Sequence, residues 1–177
     1  MKNSIAKGRR GEQEVARMLY KAHYGTKPPA DRQVFIRVGF GRSQPQGDLI
    51  VPPDFPFTVE VKNREVPLHR LPQEVCEWLT PYLADGDLKG SMLLIFKHQR
   101  KWWVVLVKAF KFLWHVRWDI LPRERQPIYY FCLHFDNMSY FATLMPLELF
   151  CHCWSASKEV IVNEEVSKNP QLAQIAS

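Results

Sequence analysis

The sequence predicts an α/β fold in which helices flank a mixed central β-sheet. Three observations predict it: an amphipathic helical pattern near the start, short runs of β-forming residues after it, and a second helical pattern between those runs. A chain of 177 residues that is 46% apolar can build one hydrophobic core. We expect one domain over residues 1–154, with its core over about 1–110, a C-terminal elaboration over 111–154, and a polar tail that frays over 155–177.

The first helix is indicated by an apolar stripe whose members are spaced as on one helix face: Val15, Ala16, Leu19 and Ala22. One turn earlier the stripe reaches Glu12, with Gly8 and Gly11 beside it. An acid that points at the core requires a cation or a hydrogen-bond donor. Two glycines in a helix cost stability, which a close approach to the backbone would explain. Alternatively, the helix begins after Gly11 and Glu12 is a first-turn acid favoured by the helix dipole.

A first strand over residues 33–40 and a polar loop over 41–47 precede a predicted β-hairpin with strands at 49–51 and 57–61. Folding this hairpin about Asp54 pairs residue 51 with residue 57, and Asp48 with Glu60. Directly opposed residues point to one face, with Cβ atoms roughly 4.5–5.5 Å apart. Side chains alternate along a strand, so Lys62 lies on the face of Glu60. The hairpin therefore brings two carboxylates and one ammonium together.

Two opposed carboxylates repel each other unless positive charge lies between them. Lys62 can neutralise part of this charge, and a divalent cation can neutralise more of it. Ligands that are all oxygens favour Mg²⁺ or Mn²⁺ over zinc. The alternative interpretation is a solvated strand face on which Glu60 and Lys62 are ordinary surface residues.

Further elements complete the predicted sheet. A helix is expected over residues 71–84, a hairpin from strands at 92–96 and 102–107, and another from strands at 128–135 and 140–144 that turns at Asp136 and Asn137. The segment 108–118 mixes basic and aromatic residues. It could stack on single strands or distorted junctions, or it could supply core or dimer contacts.

The charge of the chain favours a polyanionic partner. The net charge is +6 and the pI is about 9.2. The basic residues that gather around the proposed site are Lys2, Lys7, Arg9, Arg10, Arg37, Arg42, Lys62, Arg64 and Arg70. Such basic runs can also be solvated surface. In the loop before Asp48, Arg42 and Ser43 either follow a phosphate backbone or belong to a connector.

Several other classes of protein are disfavoured by the sequence. No apolar run is long enough to span a bilayer, so we expect a cytoplasmic protein with its four cysteines reduced. The spacing in Cys151-His152-Cys153 is not that of a typical zinc site. The chain has no phosphate-binding glycine loop of nucleotide-binding type, so no nucleotide cofactor is expected.

Three motifs together resemble the PD-(D/E)XK nuclease superfamily: Lys7-Gly8-x-x-x-Glu12, Gly47-Asp48 and Glu60-Val61-Lys62. The first is most similar to the opening of archaeal-type Holliday junction resolvases, and the resemblance covers roughly the first two thirds of the chain. It implies a restriction-endonuclease-like core. Two departures are Gln13, where those resolvases often have arginine, and Gly47, where the superfamily motif has proline.

The resemblance also implies roles for individual residues. Glu12, Asp48 and Glu60 would ligate or orient the metal, and Lys62 would position the attacking water and stabilise negative charge. A basic residue is expected on the strand before the acid, with Arg37 and Arg42 as candidates. The residues expected to contact DNA are Lys7, Arg9, Arg10, Arg37, Arg42, Ser43 and Arg64.

The function predicted from these features is a metal-dependent, structure-directed DNA endonuclease. The favoured substrate is a four-way junction, cut by a homodimer as the resemblance implies. One alternative is a nuclease of the same superfamily that acts on duplex ends, flaps or a specific sequence. The other is a nucleic-acid-binding protein without catalysis, in which the acids and Lys62 form a surface network.

Overall fold

The computed structural model describes residues 2–38, 47–84, 87–88, 90–108, 128–135 and 138–168. The described helices are α1 (Lys2–Tyr24), α2 (Leu71–Leu79) and α3 (Leu147–Lys168), with 3-10 turns at Leu68–Arg70 and Thr80–Tyr82. The described strands are β1 (Ile36–Arg37), β2 (Leu49–Ile50), β3 (Phe57–Glu65), β4 (Leu83–Ala84), β5 (Asp87–Leu88), β6 (Ser91–His98), β7 (Lys101–Val107), β8 (Tyr129–Phe135) and β9 (Met138–Pro146).

Five strands form the central sheet in the order β3-β6-β7-β9-β8. The β3–β6 pair is parallel and the other pairs are antiparallel, which confirms the predicted α/β fold with a mixed sheet. The β6–β7 and β8–β9 hairpins are also confirmed. Gln99 and Arg100 turn the first of these with φ of 50° and 64°, the positive values that a type I′ turn requires. The predicted turn at Asp136 and Asn137 lies outside the described residues.

The predicted hairpin between residues 49–51 and 57–61 is wrong. β2 pairs instead with β1, where Ile50 lies opposite Ile36, and β3 pairs in parallel with β6, where Glu60 lies opposite Leu94. Between β2 and β3, Phe55 is buried in the core and its N–H donates to the carbonyl of Pro52 at 3.0 Å. The loop between β2 and β3 is thus anchored in the core through Phe55.

Three element boundaries also differ from the prediction. The helix predicted over 71–84 ends at Leu79, because Pro81 cannot supply the N–H that an α-helix needs. Within the predicted strand 33–40, only Ile36–Arg37 is strand among the described residues. Fraying from Ser155 is wrong for residues 155–168, which continue α3. The side chain of Ser157 is buried and donates to the carbonyl of Cys153 at 2.7 Å.

The sheet has a hydrophobic cluster on each face. One includes the predicted stripe of α1 and residues of α3, and the other includes the buried face of α2. Val15 and Leu19 are fully buried, as the stripe predicted. Since α1 begins at Lys2, Glu12 is not a first-turn acid. None of the helices in the described ranges is both long enough and apolar enough to cross a membrane.

A buried histidine joins α1, α3 and the loop before β3. The Nδ1 atom of His23 accepts from Trp154 Nε1 at 3.2 Å, and its Nε2 lies 3.1 Å from the Asp54 carboxylate. Lys158 also donates to Asp54, at 3.2 Å. Burial lowers the pKa of His23, which keeps the ring neutral. These contacts fix the loop that leads into β3.

Gly11 lets α1 pack directly against β3. A Cβ atom at this position would lie 2.5 Å from the Asn63 side-chain nitrogen, closer than real atoms pack. The same nitrogen donates to the carbonyl of Lys7 at 2.5 Å, so the Asn63 side chain joins β3 to the backbone of α1. The close approach of this side chain to the α1 backbone therefore explains the glycine at position 11.

Substituting alanine for the two glycines of α1 should have opposite effects. Gly8→Ala adds a Cβ 3.8 Å from Glu12 Oε1, an ordinary contact, and should stabilise the helix by about 1 kcal/mol. Gly11→Ala forces Asn63 to move and should lower the free energy of unfolding by about 1–3 kcal/mol. Urea denaturation of both variants measures the difference. Equal stabilities would show that α1 does not depend on this close approach.

Candidate active site

Asp48 is held beside Glu60 by two hydrogen bonds. Its N–H donates to the carbonyl of Val59 at 2.7 Å, and its carboxylate accepts from the N–H of Val61 at 2.7 Å. The two bonds flank Glu60 on the edge strand β3. The predicted proximity of Asp48 and Glu60 is therefore present, although the predicted ladder is not.

Gly47 makes the approach of Asp48 to β3 possible. Its φ is +76°, and an added Cβ would overlap the Val59 carbonyl oxygen and lie 3.0 Å from the Thr58 methyl carbon. Proline, whose ring fixes φ near −65°, cannot adopt this conformation. The local backbone thus explains why glycine occupies the position where the superfamily motif has proline.

Glu60 is 8% exposed and both of its carboxylate oxygens have donors. Lys62 Nζ pairs with Oε1, as the alternation along β3 predicted. The Tyr82 hydroxyl donates to Oε2 at 2.5 Å. The sequence predicted Tyr82 only as part of the helix over residues 71–84 and did not indicate this contact. The available signal was chemical, since a buried tyrosine hydroxyl usually has a hydrogen-bond partner.

Burial and a neighbouring charge destabilise the ionised form of Asp48. Desolvation is the largest cause and the Glu60 carboxylate the second, and together they raise the pKa of Asp48 to about 6. The Val61 N–H and the Lys62 ammonium oppose this shift without cancelling it. Burial, followed by the hydrogen bond to Glu60, raises the pKa of the Tyr82 hydroxyl, so the phenol stays protonated as a donor. The site holds more negative charge than its own cations balance.

Glu12 obtains the partner that its position requires. Its side chain is 13% exposed and forms an ion pair with Arg37 of β1. Its charge also raises the pKa of Asp48 slightly, so it acts on the same site. Of the two candidate basic residues, Arg37 is at the site and Arg42 lies outside the described residues. Among the described side chains, no group of three or more acids, histidines or cysteines is arranged to hold a metal ion. The predicted role of Glu12 at the metal stays a prediction.

The remaining predicted DNA contacts that the structure describes lie on α1 and β3. Lys7, Arg9 and Arg10 are exposed on the first half of α1. Arg64 is exposed two residues beyond Lys62, where it pairs with Glu74 and lies 5.4 Å from the Trp78 ring centre. Ser43, like Arg42, lies outside the described residues, as does the aromatic and basic segment after Lys108.

The donor set fits a hard divalent cation. Asp48 and Glu60 offer only oxygen atoms, and their negative charges are close enough to shift the pKa of Asp48. Oxygen ligands of this kind suit Mg²⁺ or Mn²⁺. A cation beside them would relieve the repulsion that burial strengthens.

A mixed sheet whose edge strand carries an acid and a lysine beside a second acid defines the PD-(D/E)XK class of nucleases. The model of the family described as "Phage putative PDDEXK endonuclease" matches residues 3–143, and the chain belongs to this family. The matched region contains Glu12, Asp48, Glu60 and Lys62, and the predicted superfamily is confirmed. No curated protein and no solved structure matches the chain. The closer likeness to archaeal-type resolvases stays a prediction.

Proposed function

We propose that this nuclease hydrolyses DNA phosphodiesters with a divalent cation, Mg²⁺ or Mn²⁺, that Asp48 and Glu60 hold beside Glu12. The observation that carries the proposal is the pair of bonds that fixes Asp48 next to Glu60 against their mutual repulsion. A bound cation would activate water at neutral pH and stabilise charge on the phosphate.

Each neighbouring side chain has a role consistent with this chemistry. Lys62 is one-third exposed and can donate to a phosphate oxygen as negative charge develops. Arg37 holds Glu12 in place through their ion pair. Arg64 and the exposed basic residues of α1 can contact the DNA backbone on either side of the cut.

The proposed substrate is a four-way DNA junction, and the proposed active form is a homodimer. The support is the net charge of +6 together with the likeness of the Lys7-Gly8-x-x-x-Glu12 motif to resolvases. A junction requires two symmetry-related cuts, and an isologous dimer supplies two sites. In the alternative, the same site would cut duplex ends, flaps or specific duplex sequences.

Cleavage of labelled substrates tests this proposal. The protein is mixed with an immobile four-way junction, a flap and a linear duplex of matched sequence, each with Mg²⁺ and with chelator. Paired, symmetric, Mg²⁺-dependent cuts in the junction support the proposal, and sizing of the bound complex reports the dimer. Preferred cutting of flap or duplex overturns the junction substrate only. Binding without cutting in any metal would overturn the catalytic role.

Lys62→Ala should slow cleavage about 10²–10³-fold, the cost typical of losing one donor to developing charge. DNA affinity should fall only modestly, since one phosphate contact among several is lost. Single-turnover rates at saturating protein and gel-shift titrations separate the two effects. Lys97→Ala is the matched control, because Lys97 is also a strand lysine but lies opposite Glu65 and over the Trp102 ring. Equal rates for the two variants would remove Lys62 from the mechanism.

A further inference from the structure

We infer that Tyr82 is a positioning residue that fixes the Glu60 carboxylate for the cation, an inference that rests on the proposed function. Its hydroxyl donates to Glu60 Oε2 at 2.5 Å, while Lys62 occupies Oε1. Tyr82 acts through Glu60, and no catalytic contact with DNA is assigned to it.

The two donors restrict the orientation of a flexible side chain. Glutamate has several rotatable bonds, and a cation site needs its oxygens in one place. Lys62 is one-third exposed and its ammonium can move with the substrate. Tyr82 is the stiffer partner, because its ring has only two side-chain torsions. Removing a hydrogen bond to a metal-ligating side chain typically lowers metal affinity or activity ten- to hundredfold.

Tyr82 is itself held by the hydrophobic cluster that contains α2. Its 3-10 turn follows directly after Trp78 and Leu79, which are both buried. Its ring packs at the edge of the same cluster as Leu88 and Tyr140. The N–H of Leu88 donates to the Tyr140 hydroxyl at 2.8 Å, which ties strand β5 to β9.

The active site therefore depends on both faces of the sheet. Glu12 reaches it from α1, which packs on one face. Tyr82 reaches it from the end of α2, which packs on the other. Tyr82, on the α2 side of the sheet, sets the orientation of Glu60. Helix α1 brings Glu12 to the site from the other side.

The test compares Tyr82→Phe with wild type in Mn²⁺ binding by calorimetry without DNA. The expected result is a dissociation constant raised about ten- to hundredfold. Cleavage should be slow at limiting Mn²⁺ and should recover in part at high Mn²⁺. Tyr140→Phe is the matched control, because it removes the hydroxyl of another tyrosine of the same cluster, one that accepts from the Leu88 N–H. It should bind Mn²⁺ as wild type does, and thermal unfolding of both variants reports their stability.

The outcomes separate the inference from the proposed function. Weak binding in Tyr82→Phe alone supports the positioning role. Equal binding by Tyr82→Phe and wild type overturns that role and leaves the metal-dependent nuclease standing. Equal weakening in Tyr82→Phe and Tyr140→Phe also overturns it, because the effect is then general loss of structure. Absence of Mn²⁺ and Mg²⁺ binding by wild type overturns the proposed metal function itself.

Discussion

Asp48→Asn should lower the rate of DNA cleavage by about 10³-fold or more, since losing a metal-ligand charge removes several kcal/mol of transition-state stabilisation at 1.36 kcal/mol per tenfold. Asparagine has nearly the same shape, and its amide oxygen can still accept from the N–H of Val61. The backbone bond from residue 48 to Val59 does not involve the side chain. The fold should therefore survive while the cation site is lost. Single-turnover cleavage of the junction in Mg²⁺ measures the effect.

DNA binding provides the internal control for this prediction. Removing a negative charge from the site should leave junction affinity unchanged or make it tighter. Glu60→Gln should behave in the same way, because it also exchanges a carboxylate for an amide. Asp31→Asn makes the same chemical change at an exposed position and should cut normally. Full activity of Asp48→Asn would refute the proposed site.

The parts of the fold that sequence predicted depend on local patterns. The stripe of α1 predicts a buried face because residues three and four apart share one side of any helix. The β6–β7 hairpin is similarly local, since its strands are joined by two residues with positive φ. The inward orientation of Glu12 was predicted in the same way, because the apolar stripe places Glu12 on the buried face of α1. Its partner Arg37 was one of two candidates, and the structure distinguishes them.

The parts that sequence missed depend on contacts between distant segments. Both a β2–β3 hairpin and the observed pairing place Asp48 beside Glu60, so the proximity was predicted for an incorrect reason. The parallel partner of Glu60 in β3 is Leu94, more than 30 residues away, and no local pattern within residues 57–65 specifies this pairing. The contact of Tyr82 with Glu60 has the same origin. It requires α2 to end at Leu79, which the periodicity of the segment did not predict.

Gly47→Ala should lower the free energy of unfolding by about 2–5 kcal/mol. A left-handed backbone costs a residue with a Cβ about 1–2 kcal/mol, and forcing an atom into a packed site costs a further 1–3 kcal/mol. Here the φ is +76° and the new atom would overlap the Val59 carbonyl oxygen, which is the acceptor of the Asp48 N–H. Relief of that overlap must move Asp48 away from β3. Cleavage should fall together with stability, as measured by urea denaturation and by single-turnover assays.

Gly25→Ala separates the overlap from the backbone strain. Gly25 has a nearly identical φ of +72° at the end of α1, but nothing lies within 4 Å of the position its Cβ would take. This variant should lose only the strain of about 1–2 kcal/mol and should cut DNA at the wild-type rate. If both alanine variants lose the same stability and both remain active, the contact between residue 47 and β3 does not position Asp48. A larger loss in Gly47→Ala, with inactivity at temperatures where the protein is folded, would show that this glycine is required because Asp48 must lie against the edge of β3.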